Sequence, residues 1–190
     1  MYVSVALLAD EMTQRLVDQI RQELGVSVAT LPRMPLPAHL SLKQPFVCKE
    51  LAPVEAWLER LASSLSPIEI ALERLYHGQY EGQGILGLAA AETACLRALH
   101  NRINAELLAV VADPAAPFDG DAYRFHVTVA MGPLGADNPY RRYHDAMADP
   151  HLDHIMFARQ LALFVCAGAL PTPQDWRLYR SLTLGAPPPR

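Results

Sequence analysis

The sequence predicts an α+β fold of antiparallel strands and amphipathic helices, one domain that divides into two pseudo-equivalent lobes. Three observations predict it. Segments with period-2 alternation are interleaved with segments whose apolar residues recur every three or four positions. The resulting order, β-α-β-α-β-β-α-β-α-β-β, holds β-α-β-α twice, each time ending in a strand pair. A four-residue pattern on one strand of the first half, His39-Leu40-Ser41-Leu42, returns on one strand of the second as His126-Val127-Thr128-Val129, 87 residues later.

Residues 2–9 (YVSVALLA) alternate and are β-rich, so they form the first strand. Asp10 caps a helix carrying Met12, Leu16, Ile20 and Leu24, with Gly25 as its stop. A loop with Pro32, Pro35 and Pro37 leads to a strand from His39 to Val47. Val54, Leu58, Leu61 and Leu65 mark a second helix closed by Pro67. Ile68, Ile70 and Leu72 alternate with Glu69, Ala71 and Glu73, a half-buried strand. The turn-rich HGQYEGQG (77–84) joins it to ILGLAAA as a hairpin.

Leu96, Leu99, Ile103, Leu107 and Val110 share one face of a third helix. The loop ADPAAPFDGD precedes a strand over 123–132 (YRFHVTVAMG), and a short polar helix occupies about 138–148. RQLALFVCA and DWRLYRSLTLG read as two antiparallel strands, and residues 185–190 as a disordered tail.

A chain of 190 residues with 51% hydrophobic and 19% charged residues buries a real core, as one domain. No apolar run reaches the roughly 20 residues of a membrane span, so no membrane partner is expected. The N-terminus MYVSVALLADEM reads as a strand rather than a leader, an expectation that places the protein in the cytoplasm. Cys48, Cys95 and Cys166 are scattered and odd in number, which indicates free thiols. A net charge of −4 provides no global field for gripping duplex DNA, so bound nucleic acid needs a local basic cleft. No obligate protein partner is evident.

The repeated motif carries the chemistry. Residues i and i+2 of a strand point to one face, so His39 shares a face with Ser41, and His126 with Thr128. Leu40 and Leu42, or Val127 and Val129, anchor the other face. The same parity adds Lys43 to the first strand and Arg124 to the second. Two histidines can divide general-base and general-acid work near neutral pH. Two hydroxyls and two cations can hold a phosphate whose oxygens gain charge at the transition state. This chemistry calls for no metal or cofactor. A single His-x-Ser/Thr is a weak signal, and a core histidine bonded to a neighbouring hydroxyl is its plain explanation. Two matches at equivalent places of two half-patterns are a much stronger one.

With these motifs the chain resembles the 2H phosphoesterase superfamily, which includes bacterial 2′-5′ RNA ligases and RNA 2′,3′-cyclic phosphodiesterases. The resemblance spans the first strand, PAHLSLK, FHVTV and the C-terminal WRLYRSLTLG. It implies a bilobal fold in which two antiparallel sheets form a central cleft with helices outside. It also implies metal-independent hydrolysis of 2′,3′-cyclic phosphates, in some members with 2′-5′ ligation in reverse. His39 and His126 are then the acid/base pair, and Ser41 and Thr128 bind phosphate oxygens. One assignment has His126 activating water and His39 protonating the leaving 3′ oxygen; pseudo-symmetry leaves the reverse open. Many ligase-type members continue the first motif with Phe-Leu-Gly and follow the second with arginine. Here Gln44-Pro45-Phe46 and Ala130-Met131 stand instead, so the substrate is not named by the likeness.

Other residues carry weaker signals. His151-Leu152-Asp153-His154, with His144 and Asp145, reads as a solvated acidic loop rather than a metal site. His77 falls in a hairpin turn and His100 on the polar side of a helix, and neither is assigned a function. Tyr2, Phe46, Tyr123 and Tyr179 are candidates to stack a base. Parity sends Tyr123 to the core and leaves Tyr179 as a substrate-binding candidate. Arg141-Arg142 opens a surface helix. The sequence thus predicts an enzyme acting on an RNA 2′,3′-cyclic phosphate end or a cyclic nucleotide. The alternative is an RNA-end or nucleotide phosphate-binding module with little turnover, in which Lys43 and Arg124 dominate.

Overall fold

Strand β1 (Tyr2–Leu8) is almost wholly buried, and Asp10 Oδ1 then accepts the Thr13 amide at 2.8 Å to start helix α1 (Glu11–Ser27). The computed structural model describes residues 1–27, 36–80, 82–117, 119–134, 138–147, 151–167 and 175–186. Gly25 does not stop α1, which continues to Ser27; Pro32 and Pro35 lie outside the described residues. Next come β2 (His39–Val47), α2 (Leu51–Ser64), β3 (Ile68–Tyr80) and β4 (Gln83–Ala90). β3 runs further than the alternation suggests, so His77 lies within the strand, opposite Leu86, and not in the turn. Only the end of the hairpin is tight, where Gly82 takes φ +77°, a conformation that suits glycine.

Thr93 caps α3 (Ala94–Leu107), its hydroxyl oxygen accepting the Leu96 amide at 3.1 Å. A 3-10 turn at Gly120–Ala122 precedes β5 (His126–Pro133), which begins three residues later than the sequence suggests. Asn138 caps α4 (Pro139–Ala146). The acidic, histidine-containing segment expected to be a loop is instead a strand, β6 (His151–Ala158). It pairs antiparallel with β3 from Ile68↔Ala158 to Arg74↔His151. As an edge strand with one open face it tolerates alternating polar residues, which is what hides it. β7 (Gln160–Cys166) and β8 (Trp176–Thr183) complete the fold. Gly185 and Ala186 are bonded back to Ala62 and Thr183, and the tail from 187 lies outside the described residues.

The eight strands among the described residues belong to one antiparallel sheet of order β6-β3-β4-β5-β2-β1-β7-β8. The two expected sheets are its two four-stranded wings, joined through the pair Leu40↔Val127 of β2 and β5. The β2 wing takes β1, β2, β7 and β8 from both ends of the chain and the β5 wing takes β3 to β6 from its middle, so the wings are not consecutive halves of the sequence. The order is symmetric about the junction: β2 matches β5, β1 matches β4, and β7 matches β3. Helices α1 and α4 contact the β5 wing, and α2 and α3 the β2 wing. One core cluster joins residues of all four helices to Leu40, Leu42, Val127, Val129, Leu86 and Leu163. Among the described residues the helices pack on the Leu40 and Val127 side, and strand alternation sends the intervening side chains to the opposite, helix-free face.

Cys48 and Cys166 are buried, Cys95 is exposed, and all three are free thiols. Among the described residues, no helix is long and apolar enough to cross a membrane.

Candidate active site

The junction of the wings brings the two motifs together. Leu40 and Val127 point into the core, fully buried, as the anchoring residues of each strand. In an antiparallel ladder this pairing sets His39 across from Thr128, and Ser41 across from His126. The four side chains therefore share the helix-free face, each half-buried. His126 is close enough to His39 to contribute to lowering its pKa.

Each imidazole is held the same way. His39 Nδ1 lies 2.8 Å from the Pro37 carbonyl oxygen, and His126 Nδ1 2.9 Å from that of Arg124. A carbonyl can only accept, so Nδ1 carries the proton and Nε2 is the basic nitrogen in both neutral rings. Burial pushes His39 down to about 4, with smaller contributions from His126 and Arg21. Burial also lowers His126, partly offset by its bond to Arg124. Both rings are then neutral at pH 7, ready to accept a proton.

Two aromatic partners go beyond the sequence reading. The Tyr76 ring meets His126 edge-on with centroids 5.4 Å apart, and Phe164 lies 4.5 Å from His39. They come from β3 and β7, symmetry-related strands two removed from the motif strands. Small residues lie between, Gly87 across from Tyr76 and Thr128, and Ala6 across from Ser41. At Gly87 a Cβ would lie 2.6 Å from Tyr76 Cε1, so only glycine leaves the ring its place. Phe164, Leu8 and Ala162 form a small apolar cluster against which Leu36 and Trp176 pack. Unbroken alternation from Ile70 and Leu72 would turn Tyr76 into the core; the register shift between Leu72 and Arg74 reverses the parity, so Leu75 is buried and Tyr76 meets His126.

Of the sequence-predicted cations, Lys43 is not brought here. Val5 pairs with Lys43 and Ala6 with Ser41, so Leu42 is an extra, bulged residue on β2. The bulge reverses the parity that put Lys43 beside Ser41. Its side chain is 2% exposed, and its ammonium is paired with Asp119 on the inner side, near the Phe46 ring. His100, expected on a polar helix face, is fully buried there. It bonds the Leu42 carbonyl through Nδ1 at 2.8 Å and stacks on Tyr123. Tyr123 is a core residue, and its hydroxyl donates to the Ser41 carbonyl at 2.7 Å. This buried group thus grips β2 from behind, at the two residues next to Leu40.

Arg124 is exposed just before β5, with a guanidinium nitrogen 3.4 Å from the Asp121 carbonyl and its own carbonyl orienting His126. Tyr179 is 41% exposed on β8, three strands from His39, beside a register irregularity of the β7–β8 ladder.

The model of the 2′-5′ RNA ligase superfamily matches residues 9–154, a span that contains both motifs. The chain belongs to that superfamily. Its α+β architecture is that of the 2H phosphoesterases. TT0787 of Thermus thermophilus superposes with a TM-score of 0.69 at 16% identity, covering 97% of this chain and 98% of its own. LigT of E. coli, in its complex with 3′-AMP, gives 0.58 at 14% identity and 96% of each chain. Usb1 of Kluyveromyces marxianus gives 0.55 at 12% identity, over 96% of this chain and 98% of its own. At such identities these likenesses speak for the fold of the superfamily alone. No curated protein sequence matches the chain at a significant level.

Proposed function

We propose that this 2′-5′ RNA ligase superfamily member hydrolyses a 2′,3′-cyclic phosphate, on an RNA end or a nucleotide, by two-histidine acid/base catalysis. The observation that carries this reading is the matched tautomer of His39 and His126, whose Nε2 atoms are the free basic nitrogens of two rings on one face. In the reaction, Nε2 of one histidine takes a proton from water as the water oxygen bonds to phosphorus. The bond from phosphorus to one ribose oxygen breaks, and the other histidine, protonated at Nε2, gives that oxygen its proton. The acid is charged on substrate binding, because the phosphodiester anion raises the pKa that burial has lowered. Ser41 and Thr128 hydroxyls donate to the non-bridging oxygens, where charge accumulates. Arg124 provides an exposed cation beside His126, and the exposed Tyr179 of β8 is the candidate to stack a base. The pairing with Asp119 removes Lys43 from the substrate-binding set. That LigT has been crystallised with 3′-AMP and with phosphate supports a nucleotide-sized phosphate ligand.

The test is incubation with RNA ending in a 2′,3′-cyclic phosphate, and with the cyclic mononucleotides, in EDTA, followed by identification of the products. Ring opening to a monophosphate is expected. Tight binding with no product would favour a phosphate-binding module instead.

A further inference from the structure

On the other side of the sheet lies a second cluster of side chains that the reaction does not use. Tyr76 faces His126, so the alternation of β3 turns His77 to the helix-covered side, where α4 packs. There the His77 and His144 rings are 4.9 Å apart, edge to face, and His144 Nδ1 is 3.1 Å from Asp145 Oδ1. One ligand atom from each of His77, His144 and Asp145 falls within a common 4.8 Å. His77 Nδ1 is buried and has no hydrogen-bond partner among the described residues. An orphaned buried imidazole nitrogen is costly, and it calls for an occupant.

We propose that His77, His144 and Asp145 form a Zn²⁺ site that clamps helix α4 to strand β3. Two imidazoles and one carboxylate are a borderline-soft set suited to Zn²⁺, with water as the fourth ligand. Ligand atoms about 3.3 Å apart are needed for tetrahedral bonds of about 2.0–2.1 Å. The His144–Asp145 spacing already meets this. His77 and the pair must close by at most about 1.5 Å, within reach of side chains that are 26% and 54% exposed at His144 and Asp145. Arg141 lies 3.3 Å from Asp145 Oδ2, on the carboxylate oxygen that does not face His144. The site joins residues 67 positions apart in sequence, so an occupied site stabilises the fold without entering the reaction.

The experiment is calorimetric titration of the untagged chain, stripped with EDTA, with ZnCl₂, alongside thermal melting and the visible spectrum with CoCl₂. One Zn²⁺ per chain, a melting point raised by several degrees, and Co²⁺ ligand-field bands are expected. His144→Ala and Asp145→Asn should each weaken binding at least tenfold, and His77→Ala should abolish it. His39→Ala should bind as wild type does, which separates this site from the reaction face. Should His77→Ala fail to fold, the two α4 positions decide the matter. Absence of saturable binding, or binding unchanged in His144→Ala and Asp145→Asn, overturns the proposal.

Discussion

His39 and His126 hold the same tautomer by the same device, each Nδ1 lying against the carbonyl oxygen two residues earlier in its own chain segment. The device needs no partner from elsewhere in the fold. Each strand therefore delivers an oriented imidazole, and the Leu40↔Val127 pair needs only to bring the two together.

The depressed pKa values set the pH dependence of the rate. Burial brings His39 to about 4 and also lowers His126 from 6.5. In the free protein one ring must be neutral and the other protonated, so kcat/KM should peak between about pH 4 and 6.5. Bound phosphate raises the acid's pKa, so the alkaline limb of kcat should lie at higher pH than that of kcat/KM. Pre-steady-state and steady-state profiles over pH 4–9 check this. Coincident limbs for the two parameters would contradict it.

The same shift acts on stability. The folded state holds His39 neutral down to about 4, whereas the unfolded chain takes up its proton near 6.5. Between those values the unfolded state binds more protons, so stability is full above pH 6.5 and falls as the pH drops toward 4. Urea unfolding at pH 7.5 and 5 measures the loss, and His39→Gln should reduce it. An equal slope in that variant would assign the acid sensitivity elsewhere.

Lys43 is expected to matter for folding rather than for substrate. Asp119→Asn leaves its buried ammonium without a counter-charge and should cost about 3–5 kcal/mol, whereas an apolar pair, Lys43→Met with Asp119→Leu, should recover most of it. KM in the double variant should stay within about twofold of wild type, since neither group reaches the phosphate. A large rise in KM would return Lys43 to the site.

Gly87→Ala probes the aromatic backing. The added methyl would sit 2.6 Å from Tyr76 Cε1 and must displace the ring that meets His126. An overpacking cost of about 1–3 kcal/mol is expected, with kcat lowered about tenfold by the misplaced imidazole. Melting and single-turnover rates on the same preparation separate the two effects.

Much of this site is legible in the sequence because its information is local. His39, Ser41, His126 and Thr128 lie on regular stretches of strand, where period-2 parity holds. Lys43 fails because a bulge at Leu42 depends on how β1 pairs with β2, and parity counted along one strand cannot contain it. β6 looks like a loop in sequence because an edge strand with a solvent face needs few apolar residues. His100 shows the converse: a polar residue on a helix suggests exposure, yet the fold buries it against the Leu42 carbonyl. Tyr76, Phe164 and the His77 cluster depend on strand order and helix placement, which tertiary structure alone supplies.

The two-histidine reading stands or falls on the rate of 2′,3′-cyclic phosphate hydrolysis in EDTA by wild type, His39→Ala and His126→Ala, each checked for native melting. Each substitution should lower kcat by about 10²–10⁴, with binding of the cyclic phosphate largely kept. Near wild-type turnover in both variants would refute acid/base catalysis by this pair.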